Sequence, residues 1–426
     1  MSGTDQNRES ELPLNMQFYD SERYQPSLED VLTVKNTLFT LRPESPLPLE
    51  LIDAIIDLSE YWPHTTTKGF FFPGQEEGDQ NVNIIRREVT IRAGGPTENK
   101  FLLRTLPIGC PPSQGNNNNP SGQIHSEDQW KFSRQIPKPL PKDREIPQDA
   151  TEEVLNKWTE TSQIRGEFPC KKIVFHIRSH DQGWGGDRAD KGTYRGSYTW
   201  FDVGLERTYA TRRDLTNIKP PEHIPESPSF RLSNSNPDTQ ESTNEIRCST
   251  QTISPDVENN PSYDRENDAN PVTKYPHMFI HTLNPDNKIL QKNKTATRVF
   301  EDHKITWRFN DDVHPESPEA DELEAQGRGR ETGNGEFIRN LKIGDVVTLW
   351  AKARFPGWAN TVEDVVIQES SWRDSESLGV THTRCCRGVV EDKPEKGGEP
   401  LPEVSVNICM RKEARRGVYC SCDFEN

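Results

Sequence analysis

At 426 residues the chain has room for two or three domains, but only 31% of it is hydrophobic and 33 residues are proline. A globular chain is usually nearer half apolar, so this composition predicts one β domain, a short helical segment before it and long unstructured insertions. The net charge of −16 argues against an electrostatic grip on nucleic acid, and no apolar run approaches a membrane span.

The opening MSGTDQNRES lacks the basic start and apolar core of a secretory signal, which points to the cytosol or nucleus. Cys110, Cys170 and Cys248 are scattered without pairing rhythm, as in a reducing compartment. Residues 1–26 are polar and read as disordered. Ser27 then opens a helix, with Asp30 as a capping-box analogue and Leu28, Val31, Leu32 and Leu38 on one face. A second helix opens at Leu47 and Pro48. Its stripe runs through Leu51, Ile52, Ile55, Ile56, Leu58 and Trp62, and Pro63 ends it. Helices this short need a partner surface.

From residue 82 the period becomes two: Ile85, Val89 and Ile91 form a strand, an AGGP turn follows, and 101–106 returns as the second arm of a hairpin. Residues 111–165 read as a linker with a short helix at 152–159. The most sharply specified block is 171–207, a strand with Ile173, Phe175 and Ile177 on one face, a glycine- and tryptophan-rich turn, and a second strand from Tyr198. Residues 214–274 offer no apolar stripe and read as a disordered insertion.

A strand follows with Val299, His303, Ile305, Trp307 and Phe309 on one face. Residues 311–332 read as a solvated loop, acidic and then Gly/Arg-rich. Val347, Leu349, Ala351, Ala353 and Phe355 face one way and Thr348, Trp350, Lys352 and Arg354 the other, before a turn at Pro356 and Gly357 and a last strand at 362–367. At least seven strands with no alternating helices exclude a parallel α/β sheet and predict a mainly β, antiparallel sandwich of jelly-roll or Greek-key type, its domain discontinuous over 82–110 and 166–368. From Glu369 the strand pattern stops, and 369–426 reads as an irregular tail, a retained intron or shifted frame.

These blocks resemble a group of filamentous-fungal proteins. They share SHDQGWGG at 179–186, GTYRGSYTWFDVGLER at 192–207, NKTATR at 293–298, SPEADELEAQGRGR at 317–330 and GDVVTLWAKARFPGW at 344–358. The resemblance extends to an N-terminal helix similar to the start of an F-box, here LPLEL at 47–51. It implies docking to a Skp1-type partner in a ubiquitin ligase, through Leu47, Pro48, Leu51 and Ile55. The later F-box helices are replaced by Thr65 to Thr67 and FFFP at 70–73.

His176, His180 and Asp181, with Asp202 or His303, are candidate metal ligands for a hydrolase, but they have neither zincin spacing nor a CxxC pair. Asp181, Asp187 and Asp190 do not alternate as calcium-loop ligands do. Cys385, Cys386, Cys409, Cys420 and Cys422 lack the two-residue gap of a zinc pair. No metal or cofactor is therefore expected, and Asp181 is read as capping its own turn while Gly183, Gly185 and Gly186 supply positive φ.

Trp184, Tyr194, Tyr198, Trp200, Trp350 and Trp358 are candidates for a stacking platform, with Trp200 and Trp307 better read as core. Trp184 and Trp358 sit beside glycine in turns, where a large ring is hard to bury. The ligand-binding set is Trp184, Asp181, His180, Tyr194 and Trp358. The expectation is a non-catalytic binding protein or ubiquitin-ligase adaptor that recognises a protein or a glycan, with a metal-dependent hydrolase as the alternative.

Overall fold

The computed structural model describes residues 26–42, 44–69, 88–95, 98–110, 126–162, 164, 168–213, 229–232, 245–264 and 275–371. Expectations for residues 1–25, for Ile85, for FFFP at 70–73 and for the tail cysteines lie outside them. Two helices come first, α1 (Leu28–Thr40) and α2 (Leu49–Leu58). Ser27 caps α1 with the reciprocal Asp30 bond that the sequence announces. Val31, Ile52, Ile56 and Trp62 form a small core of their own, and the buried Lys35 pairs with Asp53 beside it.

Strand β1 (His64–Gly69) follows where the threonine run stands. Then come β2 (Val89–Arg92), β3 (Asn99–Arg104), α3 (Ser126–Arg134) and α4 (Thr151–Ser162). The long strands β4 (Cys170–His180) and β5 (Thr199–Arg213) lead to β6 (Ser229–Leu232), β7 (Glu245–Ser254), β8 (Asp256–Asn259) and β9 (His277–Ile280). The chain closes with β10 (Gln291–Lys292), β11 (Glu301–Arg308), α5 (Pro318–Ala325), α6 (Glu336–Arg339), β12 (Asp345–Ala353) and β13 (Ala359–Ser371).

Every pairing among the described strands is antiparallel, and the protein is mainly β with one sheet curled into a half-barrel. One sheet runs β1-β13-β4-β11, with β2 also on β13. A second runs β3-β12-β5-β7-β6, with β10 on β5, and β8 and β9 form a two-stranded sheet of their own. Alternation sends Ile173, Phe175 and Ile177 of β4, Ile305 and Trp307 of β11, and Val365 and Ile367 of β13 into one cluster. Val347, Leu349, Ala351 and Ala353 of β12 and Phe201 of β5 enter the same cluster from the other sheet. Each of the larger aliphatic and phenylalanine side chains, fully buried, contributes about 1.5–3 kcal/mol, and each alanine less. On the opposite side of β12 and β5, Val346 and Ala210 pack with Phe132 of α3 and Val154 and Trp158 of α4.

Several expectations need correction. The strands β2 and β3 are not a hairpin: Ile91 pairs with Asn360 in one sheet, and Leu103 pairs with Leu349 in the other. The turn at Gly94, φ +80°, carries the chain between sheets. Residues 126–162 are not a linker, because α4 is fixed by Ala210 N–H donating to Thr151 Oγ1 at 2.8 Å and by the fully buried Trp158. Part of 214–274 is a sheet, since β7 pairs with β5 from Leu205↔Ser254 to Arg213↔Glu245.

The Gly/Arg stretch is no solvated loop. Gly329 donates to Ile289 O at 2.9 Å, and a Cβ there would stand 2.3 Å from Asn287 O. Val299 is 71% exposed and precedes its strand. Finally, β13 does not stop at Ile367. Glu369 is buried and sits between Thr65 of β1 and Ile173 of β4.

Candidate functional site

The turn after β4 is clipped to the scaffold twice. Asp181 is fully buried, and its carboxylate accepts N–H bonds from Gly183 (2.7 Å), Ala296 (2.6 Å) and Thr297 (2.8 Å). Burial raises its pKa, and the three N–H donors oppose that rise. Gln182 donates through Nε2 to Trp184 O at 2.6 Å and accepts from Ala359 N–H at 3.0 Å. One side chain thus closes its own turn, and its amide oxygen ties that turn to the start of β13. Gly183, Gly185 and Gly186 all have positive φ, as the reading of Asp181 as a turn cap requires.

The second turn, between β12 and β13, stands against the first. Gly357 has φ +98°, and the Trp184 ring lies 3.0 Å from where a Cβ on it would be. Trp358 makes an edge-on contact with Tyr198 at 5.4 Å between centroids, and Tyr198 makes another with Phe355 at 4.6 Å. Trp184 is 58% exposed and Phe355 40%, so large rings face solvent on two joined turns. Phe355 has φ +63°, a conformation that costs a non-glycine residue energy and is held here by its surroundings.

Beneath this edge lies a buried polar network. Asn293 Oδ1 accepts from Ser179 Oγ at 2.7 Å, and its Nδ2 donates to Thr199 Oγ1 and to Asn360 Oδ1. Asn360 in turn donates to the carbonyls of Trp200 and Lys352. A polar group this deep must be bonded to be tolerated, so the network fixes β4, β5, β10 and β13 at the base of the turns. The Asn293 amide is thus consumed inside the protein.

The five residues expected to bind ligand therefore separate. Trp184 lies against Gly357 and Trp358 near Gly186, so both stand at the edge, and Asp181 supports it from below. His180 instead packs edge-on against Phe300 at 4.4 Å, its Nδ1 against the Asp181 carbonyl. Tyr194 is half-buried, its ring over Gly327 and 6.3 Å from the His303 ring. Burial, then Glu301, push its hydroxyl to about 12. Trp200 and Trp350 are core: Trp200 is fully buried beside Lys352 and Arg354, and Trp350 packs against Phe101 and Phe279. Sequence reasoning missed Gln182, and it placed Phe355 on the inner face, where strict alternation would have left it.

The metal reading fares poorly on geometry. His176 and His180 lie four residues apart on β4, about 13 Å at strand rise, too far to share one ion. The Asp181 oxygens are already taken by N–H donors. Among the described residues no group of three or more His, Cys, Asp or Glu is placed to hold a metal ion.

His303 supplies a test of the packing around Tyr194. Burial, and then Lys294, depress its pKa to about 4, below the usual 6.5, so the folded protein holds it neutral. From pH 6.5 down to about 4 the unfolded chain takes up a proton that the fold refuses, and stability falls by about 3 kcal/mol. His176 adds a loss of the same sign in the same window. Between pH 6.5 and 4, His303→Gln should lose about 3 kcal/mol less stability than wild type in thermal melts.

On the N-terminal helices, Leu51 (53% exposed), Ile55 (43%) and Leu58 (87%) face outward, while Leu47 packs toward the small core and Pro48 caps α2. The pair is tied to the β domain by Glu60, which pairs with Lys172 and with Arg308 at 3.2 Å. No family model matches the chain, and no curated protein or solved structure matches it either.

Proposed function

We propose that this is a binding protein whose Trp184–Trp358 edge recognises a protein or glycan partner. In this reading the two sheets close as a sandwich of jelly-roll or Greek-key type, and the edge is carried on one end of it. The observation that supports recognition most is the combination of exposure and rigidity. Large rings lie open to solvent on turns held by Asp181 and Gln182, and such rings bind with little loss of side-chain freedom. Sugar rings and apolar side chains both stack on surfaces of this kind.

The exposed Leu51 and Ile55 of α2 would dock a second protein. That arrangement fits a ubiquitin-ligase substrate adaptor of the cytosol or nucleus, and the sequence blocks shared with the filamentous-fungal group fit the same assignment. A hydrolase is less well supported, given the separation of His176 from His180.

Trp184→Ala tests the edge against Gly185→Val. The first removes an exposed ring and should shift stability by no more than about 1 kcal/mol while weakening partner capture. The second forces a β-branched residue to φ +92° and should cost about 1–3 kcal/mol. Equal capture by wild type and Trp184→Ala, on a glycan array and in quantitative co-purification, would remove the edge from recognition.

A further inference from the structure

A cleft of about 330 Å³ opens where the two sheets part, away from the aromatic edge. Its floor is Val203 and Leu205 of β5, Trp307 of β11, and Phe337 and Ile338 of α6. These positions belong to the main core or pack against it, so the cleft is a gap at the mouth of that core. Its rim is polar: Ser254, Lys288, Glu331 and Glu336 stand around the opening with Asn334. Clefts of 300 Å³ and more with apolar walls and a few polar groups at the mouth are the usual form of small-molecule sites.

The rim chemistry narrows the ligand. Lys288 sits 3.9 Å from Glu331, which leaves Glu336 as the unbalanced charge among these lining groups. Asn334 turns its amide to Glu336, at 3.4 Å, and its Oδ1 caps the Glu336 N–H at 2.9 Å, so the carboxylate is held at the opening. An anion entering here would meet the Glu336 carboxylate at the opening, while the Arg339 guanidinium is engaged behind it with the Asn334 carbonyl at 2.7 Å. The walls suit a flat or branched apolar body in contact with the Trp307 and Phe337 rings.

We propose that this inter-sheet cleft binds a small, uncharged, largely apolar molecule. Sites of this class form between β-sheets because the inward faces already present aliphatic and aromatic side chains. The site is separate from the partner-binding edge, and its occupancy does not depend on that reading being correct.

The test compares two fluorescent probes with one body, neutral N-phenyl-1-naphthylamine and its sulfonate, 1-anilinonaphthalene-8-sulfonate. The full chain should bind the neutral probe at one site and the sulfonate at least about fivefold more weakly. Leu205→Trp fills the cleft and should weaken the neutral probe by about tenfold or more, with folding checked by its melt. Glu336→Lys, an exposed change, should leave the neutral probe within about twofold and strengthen the sulfonate about threefold. No saturable binding of the neutral probe overturns the proposal. So does binding unchanged in a folded Leu205→Trp protein, or equal affinity for both probes that Glu336→Lys does not shift.

Discussion

Replacing residues 214–274 by a short linker unfolds the β domain. The segment contains β7, which pairs with β5 over its whole length and buries Ile246, Cys248, Thr250 and Thr252. It also contains β6, the outer neighbour of β7, and β8, which pairs with β9. Without β7, the second half of β5 loses its ladder, and Ala210 loses Cys248 and Ile246, its neighbours in the cluster under α4. Buried backbone groups left without partners cost about 1–3 kcal/mol each, so several together exceed the stability of an ordinary domain. Loop closure is minor beside this, at about 0.6 kcal/mol per doubling of length. Far-UV circular dichroism and a calorimetric melt give the readout, and a cooperative transition within a few degrees of wild type would show that β7 is an ornament.

Trp307→Ala should be the most costly single substitution described here. The ring is 5% exposed and packs edge-on against Phe175 and Phe337, each at 5.1 Å between centroids. Truncating a buried tryptophan costs about 3–5 kcal/mol from lost transfer energy and the cavity left behind. Trp307→Phe retains the aromatic contact and should recover more than half of that loss. Urea denaturation measures both, and a midpoint for Trp307→Ala equal to wild type would mean that the ring packs nothing.

Much of the inner architecture was legible because it rests on aliphatic alternation. In β4 and β12 the positions that enter the main core are, Cys170 apart, Ile, Phe, Val, Leu and Ala, and a period of two assigns them to the right face. The outer sheet was not legible in this way. In β7 the buried side chains are a thiol, hydroxyls and one isoleucine, which pack and hydrogen-bond inside a sheet without registering as an apolar stripe. The pairing of β2 and β3 with different sheets also lay beyond local pattern. Their partners, β13 and β12, are some 250 residues away in sequence, and two successive strands with a glycine turn read as a hairpin.

The edge was half legible. A tryptophan beside glycine in a turn has little to bury against, and that argument finds Trp184 and Trp358. The expected ligand-binding set also held Tyr194 and His180, which the fold consumes through Gly327 and Phe300, neighbours that no spacing reveals. Phe355 escaped because its positive φ breaks the alternation that should have carried it inward.

The recognition role of the edge is tested most directly by placing a benzophenone side chain at position 184 in living cells, irradiating, and identifying adducts by mass spectrometry. Benzophenone inserts into C–H bonds of proteins and sugars alike, so either class of partner is captured. Glu160, exposed on α4, is the control position. A discrete adduct formed at 184 and absent at 160 is the expected result. No adduct at 184, or the same adducts at both positions, would contradict a binding role for the Trp184–Trp358 edge.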